Sequence, residues 1–213
     1  KLSGLSGVSI NGLVDTDRRD SGFYVHANIP DVLFDRYRLE NAVITGIGSL
    51  DSLRLTGSIG NIQVGDSLYF PNTITEITSS GDHSVVHITT SASETLNEAS
   101  LNADVYTLDD GVRINFRPSS FVLNTKKWEL EKEGEIVIRK HFASATNVRF
   151  LQGFQEIGIE SEEDDGGNAS NLVVKLSNVN LGDFVPLFTR DPRIEGIANG
   201  NVYLRDFYNR FNA

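Results

Sequence analysis

Two histidines four positions apart are the first residues in this chain that suggest chemistry. His83 and His87 have the spacing that places two imidazoles on one face of a helix, where they can bind zinc. The residues around them, Ser84-Val85-Val86 and Ile88-Thr89-Thr90, are instead typical of a strand. Four positions along a strand span about 13 Å, which is too far for one metal ion. We therefore expect neither a metal site nor a cofactor.

A serine motif offers a second kind of chemistry. The tetrapeptide Gly65-Asp66-Ser67-Leu68 matches the nucleophile motif of GDSL esterases, which need a helix after the serine and a base from an Asp-x-x-His pair. Here the sequence after Ser67 continues as strand and turn, and Ile138 stands three positions before the last histidine, His141. A serine hydroxyl without a positioned base is a poor nucleophile. The sequence therefore predicts no catalytic residue and no enzyme, with an esterase as one alternative.

Acidic residues cluster between Glu160 and Asp165, followed by Gly166 and Gly167. A calcium loop would need acidic residues at alternate positions before a glycine, and a trailing glutamate, which this run lacks. We interpret the run as a solvated loop.

Composition limits the remaining functions. The chain has 213 residues and a net charge of −10, which argues against binding nucleic acid through general electrostatic attraction. No apolar run is long enough for a transmembrane helix, and the absence of cysteine excludes disulfides. Methionine is also absent, and Lys1 stands at position 1, so we expect a piece of a longer protein with any leader or anchor outside it.

Alternating apolar and polar residues run through most of the chain, with turn residues about every 10 positions. Phe23–Ile29 is a clear example, and Asp109-Asp110-Gly111 is a hairpin signal before Val112–Phe116. Helix is predicted only at Pro30–Phe34 and at Asp183–Phe188, where Asp183 is the expected cap. The pattern predicts an all-β antiparallel protein with one or two very short helices.

These strands have one apolar face each, and no long amphipathic helix is available to cover it. Such a sheet can pack against a second sheet as a sandwich, or curl so that its apolar face lines a groove. Burying a large apolar side chain is worth about 1.5–3 kcal/mol, so the face cannot be left in water. Periodicity alone favours the sandwich, because self-packing is the commoner solution.

The two ends of the chain are similar to each other. Gly4–Ile10 resembles Gly196–Leu204, with glycine and asparagine between apolar residues. We therefore expect residues 1–213 to be a single segment of a longer repetitive protein, with repeat punctuation at 1–14 and 194–204.

Several longer stretches resemble one known family. Ser119–Lys140, Asn147–Ser161 and Asn171–Phe184 are similar to the C-terminal region of TamB-like proteins of the Bacteroidetes type, within the AsmA-like group. The order DGVRINFRPSSFVLN…KW, over Asp110–Trp128, is the most specific part. The resemblance spans most of the chain and is strongest over residues 80–204.

The resemblance implies an elongated, curved antiparallel sheet folded over into a trough with an apolar interior, a β-taco type of fold. It implies a periplasmic location in a Gram-negative bacterium and an inner-membrane anchor N-terminal to this chain. The implied function is non-catalytic conduction of phospholipid between the inner and outer membranes, with phospholipid acyl chains and an Omp85-type outer-membrane barrel as partners. The alternative is a scaffold that assists outer-membrane protein assembly by β-strand pairing.

In a trough of this kind, one apolar residue set would face inward and hold acyl chains by non-directional contacts. The predicted lining residues are Phe23, Val25, Ala27, Leu101, Ala103, Val105, Val112, Ile114, Phe116, Ile136, Ile138, Ile157, Ile159, Leu172, Val174 and Leu176.

Overall fold

The computed structural model describes residues 2–15, 17, 22–35, 37–49, 51–65, 68–91, 98–140, 142–162, 171–185 and 194–204. Of the described residues, 78% are in strands and 3% in helix, and the strands form one antiparallel sheet that is not closed. This confirms the predicted fold class, an elongated and curved all-β sheet.

The elements occur in the following order. They are β1 (Leu2–Ser6), β2 (Ser9–Val14), β3 (Phe23–Phe34), β4 (Tyr37–Gly48), β5 (Ser52–Val64), β6 (Leu68–Ser80), β7 (His83–Thr90), β8 (Glu98–Leu108), β9 (Gly111–Phe116), β10 (Ser119–Leu123), β11 (Lys126–Leu130), β12 (Glu135–Arg139), β13 (Phe142–Thr146), β14 (Val148–Gln152), β15 (Gln155–Ser161), β16 (Leu172–Asn180), α1 (Leu181–Phe184) and β17 (Ile197–Leu204).

Strands β2 to β9 pair in chain order, and the sheet then divides. The second half of β8 pairs with β9, and its first residues pair with β10. The short branch continues from β9 to β12 and β13, and the long branch continues from β10 through β11, β14, β15 and β16 to β17. At the other end, β1 and β2 both pair with β3, as two arms of one interrupted strand.

A line of special backbone positions crosses β1 to β6. Pairing is interrupted where Pro30 lies opposite Asn41, where Asn41 lies opposite Gly60, and where Gly60 lies opposite Asn72. Asn41 and Asn72 have φ of 54° and 48°, and Gly7, with φ of 64°, lies against Pro30. Asparagine and glycine are the residues that adopt this left-handed conformation most readily. We call these five positions the fold line, because they lie side by side on neighbouring strands where the regular pairing is interrupted.

The fold line shifts the apolar alternation by one position. In β3 the apolar residues change phase between Ile29 and Val32, and in β5 between Ile59 and Ile62, each a step of three instead of two. The register is the same on both sides of the line, so each strand loses one paired position there and neither strand of a pair has an extra residue.

The fold line gives a stability prediction at Asn72. We expect Asn72→Val to cost about 1–2 kcal/mol in the free energy of unfolding, because a β-branched residue is strained at positive φ. Asn72→Gly should be close to neutral. The matched control is Asn28→Val, which makes the same exchange on the exposed face of β3, where the backbone is extended. Equal losses in urea unfolding for Asn72→Val and Asn28→Val would contradict the strained position.

The two branches pack against each other around a buried core. Leu130 of the long branch, Ala145 of the short branch and Val148 form a cluster with exposures of 1–4%. Phe116 and Ile136 of the short branch pack against this cluster. The backbone N–H of Ala145 also donates to Ser161 Oγ at 2.8 Å. The sheet is therefore filled by its own side chains where the branches face each other.

The short helix α1 differs in detail from the prediction. It begins at Leu181, before the predicted Asp183, and Asn180 caps it by accepting the Gly182 N–H at 3.0 Å. The other predicted helix, at Pro30–Phe34, is wrong because these residues belong to β3. Pro30 lies on the fold line, where the missing N–H interrupts no ladder pair.

Helix α1 is attached to the turn between β10 and β11. Asp183, 3% exposed, accepts hydrogen bonds from Asn124 Nδ2 at 2.8 Å and from Lys126 Nζ at 2.5 Å. Phe184 packs edge-on against Trp128 with ring centroids 5.0 Å apart. A buried carboxylate with two donors and an aromatic contact therefore hold the helix on the packed core.

Candidate functional site

One face of the sheet carries all the predicted lining residues. Directly opposed residues of an antiparallel pair point to the same face, so the register assigns faces across the sheet. One row of opposed residues from β3 to β12 is Phe23, Gly48, Leu53, Ser79, Ser84, Val105, Ile114 and Ile136. A row along the long branch is Ala99, Phe121 and Trp128, and another is Leu130, Phe150, Ile157 and Leu176. Residues two positions apart on a strand lie on the same face, so the other predicted lining residues share the face of these rows. All sixteen predicted lining residues therefore lie on one face, which we call the inner face.

The inner face has an open section and a packed section. On the inner face of β10 to β14, the large apolar side chains of Leu123, Trp128, Leu130 and Val148 are less than 9% exposed. Among the described residues of β2 to β9, the only buried apolar residues are the alanines Ala27, Ala42 and Ala103. The larger inner-face residues of β2 to β8 are thus incompletely covered, and we call these strands the open section.

The predicted lining residues divide between the two sections. Phe116, Ile136, Ile159 and Leu172 pack against the core cluster of the two branches. Phe23 and Val25 are half-buried in the open section, and Leu101 is 37% exposed.

The predicted set omits several members of the same face. By register, Ile44, Leu55, Ile77 and Val86 lie on the inner face of β4 to β7, and all are half-buried. Apolar and polar residues alternate around Leu55 and Val86 in the sequence, so each of these strands has one apolar face. The alternation alone does not show whether that face lies on the same side of the sheet as the apolar faces of distant strands.

Glycine makes room for the large side chains of the inner face. A Cβ at Gly46 would lie 2.8 Å from Val25 Cγ1 and 3.2 Å from Phe23 Cε1. These two side chains therefore lean across the neighbouring strand β4, where any side chain would collide with them.

The inner face ends in a cavity at one margin of the open section. The cavity has a volume of about 330 Å³, and Val14, Phe23 and Leu53 supply its apolar surface. Asp51 and Ser52 of the β4–β5 turn also line it. We call this the rim cavity, since it lies where β2 to β6 begin or end.

The opposite, outer face carries polar networks instead. Asp104 accepts hydrogen bonds from Arg117 Nε at 2.5 Å and lies 2.7 Å from His83 Nε2. The Arg117 hydrogen bond is the main cause that holds the pKa of Asp104 below its usual value. His87 contacts Asn102, so the two histidines have different partners.

The described part of the chain contains no group of three or more His, Asp or Glu residues suited to a metal ion. No described helix is long and apolar enough to cross a membrane.

Ser67, His141 and residues 163–170 lie outside the described residues, so the esterase motif and most of the acidic run receive no structural account. The last residue of the motif, Leu68, is the first residue of β6.

Two edge strands of the sheet, β2 and β17, lack charge. Among the described residues, β2 pairs only with β3, and β17 pairs only with β16. Ser9–Val14 and Ile197–Leu204 contain no charged residue and no proline, and Ile10 and Ile197 are 69% and 62% exposed. Soluble proteins usually protect such edges with charge or proline, so these two are suited to pairing with further strands.

The fold and the inner face define an open, curved β-sheet protein that carries many apolar side chains on one face. Comparisons with protein-family models, with curated proteins and with solved structures find no match for this chain.

Proposed function

We propose that this chain is a segment of a periplasm-spanning TamB-like protein that conducts phospholipid between the inner and outer membranes, without catalysis. The observation that carries the proposal is the inner face, which extends across the sheet and whose large apolar residues are incompletely covered in β2 to β8. An apolar face of this extent needs an occupant, and acyl chains fit it because they need no directional contacts.

The energy of such contacts is sufficient for binding. Each methylene removed from water contributes about 0.8 kcal/mol, so covering about five methylenes contributes about 4 kcal/mol. Neighbouring positions on the face offer similar contacts, which lets a chain slide along it with little change in free energy. Acyl chains would lie along the open section, because the packed section is filled by residues such as Trp128 and Leu123.

The sequence resemblance alone supports the periplasmic location, the inner-membrane anchor and an Omp85-type barrel partner. The alternative function, a scaffold for outer-membrane protein assembly, draws on a different feature. The uncharged edges of β2 and β17 could accept a partner strand by β-strand addition.

Mass spectrometry of organic extracts from the purified 213-residue chain tests the proposal. We expect phospholipid in the extract of the native preparation and none after delipidation. Photo-crosslinkers at Asn11 on β2 and Asn201 on β17 address the scaffold. A chain that is folded and free of lipid, with protein adducts at these edges, would favour the scaffold over conduction.

A further inference from the structure

Strand β2 is the more regular of the two uncharged edges. It pairs with β3 at six consecutive positions, from Ser9 to Val14, with no interruption. It contains no charged residue and no proline, and each of its residues is exposed. Among the described residues, β3 is its sole partner in the sheet, which is not closed. An edge of this kind presents a row of backbone N–H and C=O groups to a further strand.

The edge at β17 is less regular. Its pairing with β16 shifts register between Leu176 and Val179, where Asn178 has φ of 53°. Within β17, Gly200 has φ of 145°, a conformation that favours glycine and departs from an extended strand. Bulges and local twist keep an edge from pairing with another chain. Of the two uncharged edges, β2 is therefore the better template for a further strand.

Strand β2 exposes apolar side chains on both of its faces. By register, Ile10 and Val14 belong to the inner face, and they are 69% and 72% exposed. Leu13 lies on the outer face and is 50% exposed. A further strand beside β2 would cover part of all three side chains, which adds apolar burial to the backbone hydrogen bonds.

The strand that fits this edge is β2 of a second copy. A two-fold axis perpendicular to the sheet places the two copies of β2 antiparallel, as in the described sheet, with both inner faces on the same side. Because β2 is uncharged, its side chains meet no like charge near the axis. In the register that places Gly12 beside its own copy, Ile10 of each chain lies opposite Val14 of the other, so apolar residues pair on the inner face.

A head-to-tail contact between β17 and β2 fits less well. The path from β2 to β8 takes six antiparallel steps, and the path from β8 along the long branch to β17 takes six more. Strands β2 and β17 therefore run in the same direction. With the inner faces on one side, they would meet as a parallel pair, which is slightly less stable per residue.

We propose that two copies of this chain associate through β2, as an antiparallel two-fold pair that continues the sheet and its inner face from one copy into the other. This inference goes beyond the proposed function and does not depend on bound lipid. The contact is a single strand pair between chains that each have a net charge of −10. The dimer should therefore be weak, depend on concentration and become more stable as salt screens the repulsion.

Sedimentation velocity of the delipidated 213-residue chain, over a range of concentrations, tests the inference. We expect a monomer–dimer equilibrium whose dissociation constant falls as salt is raised from about 0.01 M to about 0.1 M, where the Debye length shortens from about 30 Å to about 10 Å. Asn11 is exposed on the outer face in the middle of β2. Asn11→Glu should raise the dissociation constant at least about tenfold, because the two added carboxylates then lie close to the axis.

Asn201→Glu is the matched control, because it makes the same exchange on the outer face of β17, opposite Lys175. We expect it to dimerise like the wild type, and circular dichroism establishes that both variants are folded. A wild type that is monomeric at every concentration would overturn the inference. So would a dissociation constant that Asn11→Glu leaves unchanged or that both variants raise equally. Each of these results would leave lipid conduction standing, since that proposal is tested by the lipid extract.

Discussion

Leu55→Asp is expected to remove most of the phospholipid that the chain binds, by at least about tenfold. Leu55 lies on the inner face in the middle of the open section, opposite Gly46 on one side and Ile77 on the other. A carboxylate placed among acyl chains must be desolvated or protonated, at a cost of several kcal/mol. The measurement is the ratio of phospholipid to protein, by mass spectrometry of extracts from equal amounts of each purified variant.

Thr56→Asp provides the matched control. Thr56 is the next residue of β5 and is exposed on the outer face, so the same charge there should leave the lipid ratio unchanged. Leu55→Ala keeps the face apolar and should retain lipid. Circular dichroism and urea unfolding establish that each variant is folded. If folded Leu55→Asp retains as much lipid as Thr56→Asp, the inner face is not the surface that holds acyl chains.

The sequence predicts the strands and their shared apolar face because both depend on a local period of two. In β3, Phe23, Val25 and Ala27 alternate with polar residues, and the burial pattern follows the same alternation. The pairing of successive strands then extends one face across the sheet. Predicting the individual strands therefore needs no long-range information, whereas the face that distant strands share follows from the register.

The fold line could not be predicted in the same way. A change of phase from Ile29 to Val32 looks like the start of a helical turn, and this explains the wrong helix at Pro30–Phe34. The change becomes meaningful only when Asn41 and Gly60 on neighbouring strands are aligned with it. That alignment is a property of register, which single-strand patterns do not contain.

The division into open and packed sections also depends on distant contacts. Trp128 and Ile136 are close in sequence, yet they belong to branches that separate at β8 and meet again across the core. Alternation gives Trp128 and Leu55 the same pattern, although Trp128 is 0% exposed and Leu55 is only half-buried. Whether an apolar residue lines the open section or lies in the core therefore depends on which other strands pack over it.

Trp128→Ala is expected to lower the free energy of unfolding by about 3–5 kcal/mol, the usual cost of truncating a buried aromatic residue to alanine. The Trp128 ring is stacked with Phe121 at 6.1 Å between centroids and contacts Phe184 edge-on. Trp128→Phe should cost much less, since it keeps most of the ring contacts and removes an indole N–H that has no partner among the described residues. Urea unfolding monitored by circular dichroism gives the free energy of unfolding of the wild type, of Trp128→Ala and of Trp128→Phe.

Phe154→Ala is the control for Trp128→Ala, since Phe154 is 95% exposed at the β14–β15 turn and should change stability by no more than about 0.5 kcal/mol. A loss below about 1 kcal/mol for Trp128→Ala would contradict a core packed between the branches. The effects of Trp128→Ala and Leu55→Asp should also differ in kind. Trp128 already has protein atoms on every side, so its loss weakens the fold, whereas Leu55 has an uncovered side, so its change acts first on the lipid.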